Sequence, residues 1–160
     1  MIDIGALRAA HEEFLNQAAG GGFGSPPPGE WDAQRLIAHV AATDSAIGSV
    51  ALAVAGGKRV AYDNRASLDE QNLRRIVTEC GGLNGLIEFA RAQGRVLREV
   101  AGALPQSAWS VQTSILIVSG DELVVDEPWT IAQLVGSVAT VHLPRHTAQL
   151  ASLRRSRRDA

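Results

Sequence analysis

Apolar positions recur at helical spacing along four long stretches of the chain, and glycine and proline mark the breaks between them. Ile4, Leu7, His11, Phe14 and Ala18 lie three or four residues apart, which predicts an amphipathic helix over residues 3–18. Residues 20–29, Gly-Gly-Gly-Phe-Gly-Ser-Pro-Pro-Pro-Gly, end it as a loop. A second helix is expected from Trp31 to about Ala55, with Leu36, Val40, Ile47, Ala51 and Val54 on one side and Gly56-Gly57 as its stop. Residues 58–67 read as irregular, and Leu68 to Val77 as a short helix or the first turns of a longer one. A third long helix is predicted from about Ile76 to Leu104, on the stripe Ile76, Cys80, Leu83, Ile87, Ala90, Gly94, Leu97, Ala101 and Leu104. Gly81-Gly82 is the point at which its start is delayed, and Pro105 closes it.

The period then changes. Val111 to Val118 is rich in β-branched residues, Ser119-Gly120-Asp121 is turn chemistry, and Glu122 to Val125 returns as a second strand, so a small hairpin is expected. The last helix is placed from near Pro128, carrying Ile131, Val135, Val138, His142, His146, Leu150 and Leu153 on one face. Residues 31–41 and 129–139 align without gaps on Trp, Leu, Val and Ala, which reads as two helices that start alike, each anchored by a Trp. Four long helices and one hairpin predict an all-α four-helix bundle with the hairpin before the last helix. Trp109 precedes that hairpin and is expected to pack.

Composition narrows the reading. A chain of 160 residues fits one domain, expected over 1–153, and can bury close to ~70% of its unfolded surface without a disulfide or structural metal. The single cysteine excludes an intramolecular disulfide and any zinc finger. Cys80 has no cationic neighbour in its stripe and reads as a small buried hydrophobe. The first residues carry acidic groups and no continuous apolar segment, unlike a signal peptide. His39 and Asp44 interrupt the most apolar stretch, 37–55, short of the ~20 residues of a membrane span, so a cytoplasmic protein with no membrane partner is expected. The formal net charge is −2 although Arg154, Arg155, Arg157 and Arg158 make the end basic. The rest is therefore mildly acidic, which argues against nucleic acid, and residues 154–160 read as a frayed, solvated tail. The glycine-rich loop follows no strand and lacks a closing Lys-Ser/Thr, so it does not read as a phosphate cradle.

Chemistry is most concentrated in the histidines. His142 and His146 occupy consecutive positions of an otherwise apolar stripe, so both rings should face the interior of the bundle or its mouth. Residues four apart on one helix face have Cβ atoms ~5–6 Å apart, from which two imidazoles reach one metal ion. A third histidine from a facing helix, as His39 would be, leaves a coordination position for water or substrate, the pattern of catalytic sites. Leu143 stands where a zinc protease would carry its glutamate, so that motif is absent. Pro144, between the two histidines, is expected to kink the helix and shift their spacing. His11 is a weaker candidate, as a fourth ligand, as a partner of one, or as a core histidine held by a backbone carbonyl. Asp44, one turn beyond His39, is a candidate to accept a ligand's ring N–H, to act as general base, or to remain solvated.

Trp-Asp-Ala-Gln-Arg-Leu-Ile-Ala-His-Val at 31–40, Val-His-Leu-Pro-Arg-His at 141–146 and Ala-Gln-Leu at 148–150 together resemble the DinB/YfiT-like superfamily, which includes the metal-binding domain of mycothiol-dependent maleylpyruvate isomerases. The resemblance spans nearly the whole chain through short motifs. It implies an up-down-down-up four-helix bundle and a divalent metal, zinc or nickel, held at the positions of His39, His142 and His146. It also implies a thiol-dependent S-transferase or isomerase using mycothiol, bacillithiol or a similar low-molecular-weight thiol on a small electrophile, as in members from actinobacteria and bacilli. The alternative is a non-catalytic bundle, a homodimer that binds a metal, ligand or partner between its helices.

Overall fold

The computed structural model describes residues 2–154. Helix α1 (Ile4–Ala19) starts where the Asp3 carboxylate accepts the Ala6 N–H, and buries Leu7, His11, Phe14, Leu15 and Ala18. Helix α2 (Ala33–Ala55) starts in the same way on Asp32. It is buried on two sides, through Leu36, Val40, Ala51 and Val54 and equally through Ile37, Ala38, Ala41 and Gly48. Its 23 residues do reach the length of a membrane span, contrary to the sequence expectation. Among the described residues it is the helix long and apolar enough for that, but 67% of its most apolar window is buried in the fold, as in a core helix.

The segment expected to be irregular holds strand β1 (Ala61–Asp63) and the short helix α3 (Arg65–Leu68). Helix α4 (Glu70–Glu79) follows, and α5 (Leu83–Ala103) begins only after Gly81 and Gly82. These two glycines have φ of 68° and 118°, where a right-handed helix cannot continue, so the expected helix from Ile76 is two helices. Cys80 ends α4 half-buried, and burial pushes its thiol up.

A 3-10 turn (Gln106–Ser110) carrying the buried Trp109 leads into β2 (Gln112–Ser119) and β3 (Glu122–Thr130). β2 and β3 pair antiparallel from Gln112↔Thr130 to Ser119↔Glu122, with a bulge after Ile117. β1 pairs with β2 in parallel, Tyr62 opposite Ile115, so the expected hairpin is two strands of a three-stranded sheet. The Asn64 side chain locks that sheet's end, accepting the Val118 N–H and donating to the Val118 carbonyl, both at 2.9 Å.

Pro128 does not open the last helix. It lies in β3 opposite Ser114, on an edge strand where its missing N–H leaves no ladder bond broken. Helix α6 (Ile131–Ser137) starts three residues later, from a capping box between Thr130 and Gln133. Trp129 therefore ends a strand, yet the internal echo has a structural meaning. Trp31 and Trp129 each stand directly before a helix-capping residue, with Leu36 and Leu134 in the fourth helical position, the layout of a hydrophobic staple.

The last helix continues through a π-helical turn (Val138–His142) into α7 (Leu143–Ser152). The Leu143 N–H reaches back five residues to the Val138 carbonyl. A proline at 144 cannot donate, and its ring would meet the carbonyl four residues before; the wider turn absorbs that conflict in place of a sharp break. We expect Pro144→Ala to melt a few degrees higher, because it restores a donor, and to bind metal more weakly, because the turn that aims His142 relaxes. A variant that gained stability and kept its metal affinity would show that the turn has no part in the site.

The four long helical segments pack about one core, α1 against α5 and α7 and α2 against α5. Gly24 donates to the Leu153 carbonyl, and the Arg154 guanidinium donates to the Gln17 carbonyl at 2.8 Å, which ties the end of α7 to the first loop. Arg154, expected at the start of the tail, is thus held; residues 155–160 of that tail lie outside the described residues.

Candidate metal centre

α2 brings His39, the π turn His142, and α7 His146 to one point. Their ring centroids are 5.1 Å apart for His39 and His142, 4.8 Å for His39 and His146, and 4.5 Å for His142 and His146. One nitrogen from each ring lies within 4.8 Å of the others. His39 and His146 are buried and His142 is half-buried.

Two rings are oriented from behind. The His39 Nδ1–H donates to the Ser67 carbonyl at 2.7 Å, and the His146 Nδ1–H to Gln149 Oε1 at 2.5 Å. Each thereby makes Nε2 the lone-pair nitrogen of its ring, the arrangement that fixes imidazoles for metal binding. His39 Nε2 and His142 Nε2 are 3.0 Å apart, and two nitrogens bound to one ion at ~2.0–2.1 Å sit roughly 3 Å apart. His142 Nδ1 is buried with no partner. Three clustered imidazoles with one ring nitrogen unsatisfied are a donor set that fits a divalent transition metal. Burial lowers all three rings, His142 well below the usual imidazole range and His146 down to about 3; the bond to Ser67 opposes the effect at His39, the neighbouring rings and Arg145 add to it at His142, and Arg145 also lowers His39 and His146. Neutral imidazole is the form that binds a metal.

The triad forms part of the wall of a cavity of about 780 Å³ between α2, the sheet and the last helix. Leu36, Ile47, Ile117, Val125 and Leu134 make it largely apolar, and Trp31 stands over His39 at a centroid distance of 5.1 Å. Arg145, exposed at the rim, also lines it.

The other sequence candidates lie elsewhere. His11 Nε2 and Asp44 Oδ2 are 2.9 Å apart in the core, and the His11 Nδ1–H donates to the Leu7 carbonyl at 2.9 Å. His11 therefore stands outside the triad, and Asp44 faces His11, not a ring of the triad. Asp44 is not solvated; burial pushes its carboxyl up, opposed by the bond to His11. The pair fits only because residue 94 of α5 is glycine, since a Cβ there would stand 2.6 Å from the His11 ring. Gly94→Ala is expected to destabilise the protein by ~1–3 kcal/mol despite alanine's better helix propensity, read as a lower melting temperature. An unchanged melting temperature would mean that the ring has room to move.

Ser67, Gln149, Arg145 and the cavity's tyrosine, Tyr62, were not singled out from the sequence. Gln149 had a signal, being one turn beyond His146, whereas Ser67 acts through its backbone and had none. No family model and no curated protein sequence matches the chain. A solved structure described as the crystal structure of the mycothiol-dependent maleylpyruvate isomerase superposes with a TM-score of 0.63 at 14% identity, over 94% of this chain and 58% of that one. The chain thus spans less than two thirds of that protein's length. Mostly helical, with a small sheet before its last helix, the chain shares the fold of the part of that isomerase it covers, consistent with the DinB-like fold expected from the sequence.

Proposed function

We propose that the protein is a metal-dependent enzyme that activates a low-molecular-weight thiol, mycothiol or a relative, for transfer to or isomerisation of a small electrophile. The observation that carries this reading is the convergence of His39, His142 and His146 on one wall of an apolar cavity. In this reading the long helices form an up-down-down-up bundle, and the protein works in the cytoplasm. The three imidazoles would hold one divalent ion, zinc or nickel, with a coordination position left open towards the cavity. Such an ion lowers the pKa of a bound thiol, so that it reacts as a thiolate at neutral pH.

The chain's own residues supply the rest. Ser67 and Gln149 hold two of the rings in register, and the apolar wall from Leu36 to Leu134 keeps water from the reacting sulfur. The Arg145 guanidinium at the rim favours an anion, which a thiolate is. The fold shared with a mycothiol-dependent isomerase supports the choice of thiol. The test is the rate at which metal-loaded protein consumes mycothiol in the presence of a nitro-activated aryl chloride. A protein-dependent rate that His142→Ala abolishes is expected; a wild-type rate equal to the uncatalysed background would contradict the proposal.

A further inference from the structure

Several helical serines and threonines give their hydroxyl to a carbonyl of the preceding turn, as Ser49, Thr78, Thr140 and Thr147 do four residues back and Ser137 and Ser152 three residues back. Thr43 of α2 does not. Its Oγ1 is buried without a hydrogen-bond partner, and the residue lines the cavity one turn beyond His39. Beside it stands Tyr62 of β1, only 4% exposed and also lining the cavity, whose phenol neighbours the hydroxyls of Thr43 and Ser67. Ser67 already donates its hydroxyl to the Asn64 carbonyl at 2.8 Å. Tyr62 and Thr43 thus bring two hydroxyls to one part of the cavity, and the Thr43 O–H has no partner among the described residues.

We propose that the Tyr62 and Thr43 hydroxyls form a subsite for the carbonyl oxygen of the electrophile, so that the natural substrate is a small aldehyde, ketone or unsaturated acyl compound. The inference deepens the thiol-transfer reading and rests on it for the role of the bound molecule. Burial pushes the Tyr62 phenol up to about 12, so it keeps its proton throughout the neutral range and serves as a donor. A hydrogen bond to the carbonyl oxygen draws electron density from the carbon skeleton and leaves it more open to a thiolate. The side chains of Ile47 and Ile117 would receive the hydrocarbon part, and the cavity volume suits a molecule of that size.

The probe is 4-(dimethylamino)cinnamaldehyde, an unsaturated aldehyde whose absorption moves to longer wavelength when its oxygen accepts a hydrogen bond. It is titrated into metal-loaded wild type, Tyr62→Phe, Thr43→Val and Thr43→Ser, each checked for metal content and melting temperature. We expect a saturable red shift with wild type and about tenfold weaker binding with loss of the shift in Tyr62→Phe at unchanged metal content. Thr43→Val should lose part of the shift and Thr43→Ser, which keeps a hydroxyl, should retain it. A wild-type protein with no saturable shift overturns the proposal, as does a Tyr62→Phe variant that binds and shifts the probe like wild type. Equal behaviour of Thr43→Val and wild type removes Thr43 from the subsite. Thiol consumption is read separately, so a Tyr62-dependent shift in a protein that consumes no thiol would sink the thiol reading and leave the carbonyl subsite standing.

Discussion

Replacing His146 with alanine is expected to leave the purified protein with almost no metal, while the wild type is expected to carry about one divalent ion per chain. The loss in affinity should exceed ~100-fold, because removing even a residue that only orients a ligand costs 10–100-fold. His146 is buried, its Nδ1–H is fixed on Gln149 and its ring lies 4.5 Å from that of His142, so no other described side chain stands ready to take its place. His39→Ala and His142→Ala should behave alike. Elemental analysis after growth with zinc and nickel supplied reads the result, and wild-type metal content in all three variants would remove the site.

The second large effect lies outside the cavity. His11→Leu is expected to cost ~3–5 kcal/mol, since it strands the buried Asp44 carboxyl, whose Oδ1 already has no partner. For a chain of this length that corresponds to a drop of roughly 10 °C or more in melting temperature. The double variant His11→Leu/Asp44→Leu should recover much of the loss, because no unpaired charge is left in the core. Metal content should stay at the wild-type level in His11→Leu, which separates a packing histidine from a fourth ligand. Additive losses in the double variant would show that the two residues do not act as a pair.

The helical stripes were legible because period and burial coincide. Leu7, Phe14 and Ala18 of α1 and Ile87, Ala90 and Leu97 of α5 are buried as spacing alone requires. The two-ring pattern at His142 and His146 was legible for the same reason, and His39 could be proposed as their partner from a facing helix. What spacing could not carry was long-range pairing. β1 is three residues long, too short for an alternation to register, and its parallel partner β2 lies some fifty residues away. The partnership of His11 with Asp44 across two helices, and the dependence of that contact on Gly94, have no local signature either.

At two prolines competing rules met, one at a misplaced helix start and one at an expected kink. Pro128 satisfied the preference for proline in a first helical turn, while the Thr130-to-Gln133 capping box marked the true start. At Pro144 the rule that proline breaks a helix held, but the chain answered with a π turn, which keeps His142 and His146 on one side.

The central claim is a three-histidine ion with a position open to a thiol, and cobalt substitution tests it most directly. Cobalt held by three imidazoles and water has visible bands that depend on every bound group. Adding mycothiol to the cobalt-loaded protein should move those bands and bring in an intense sulfur-to-cobalt charge-transfer absorption in the near ultraviolet, saturating at one thiol per chain. A cobalt spectrum that stays unchanged at saturating thiol would mean a closed or absent site, and would contradict the account.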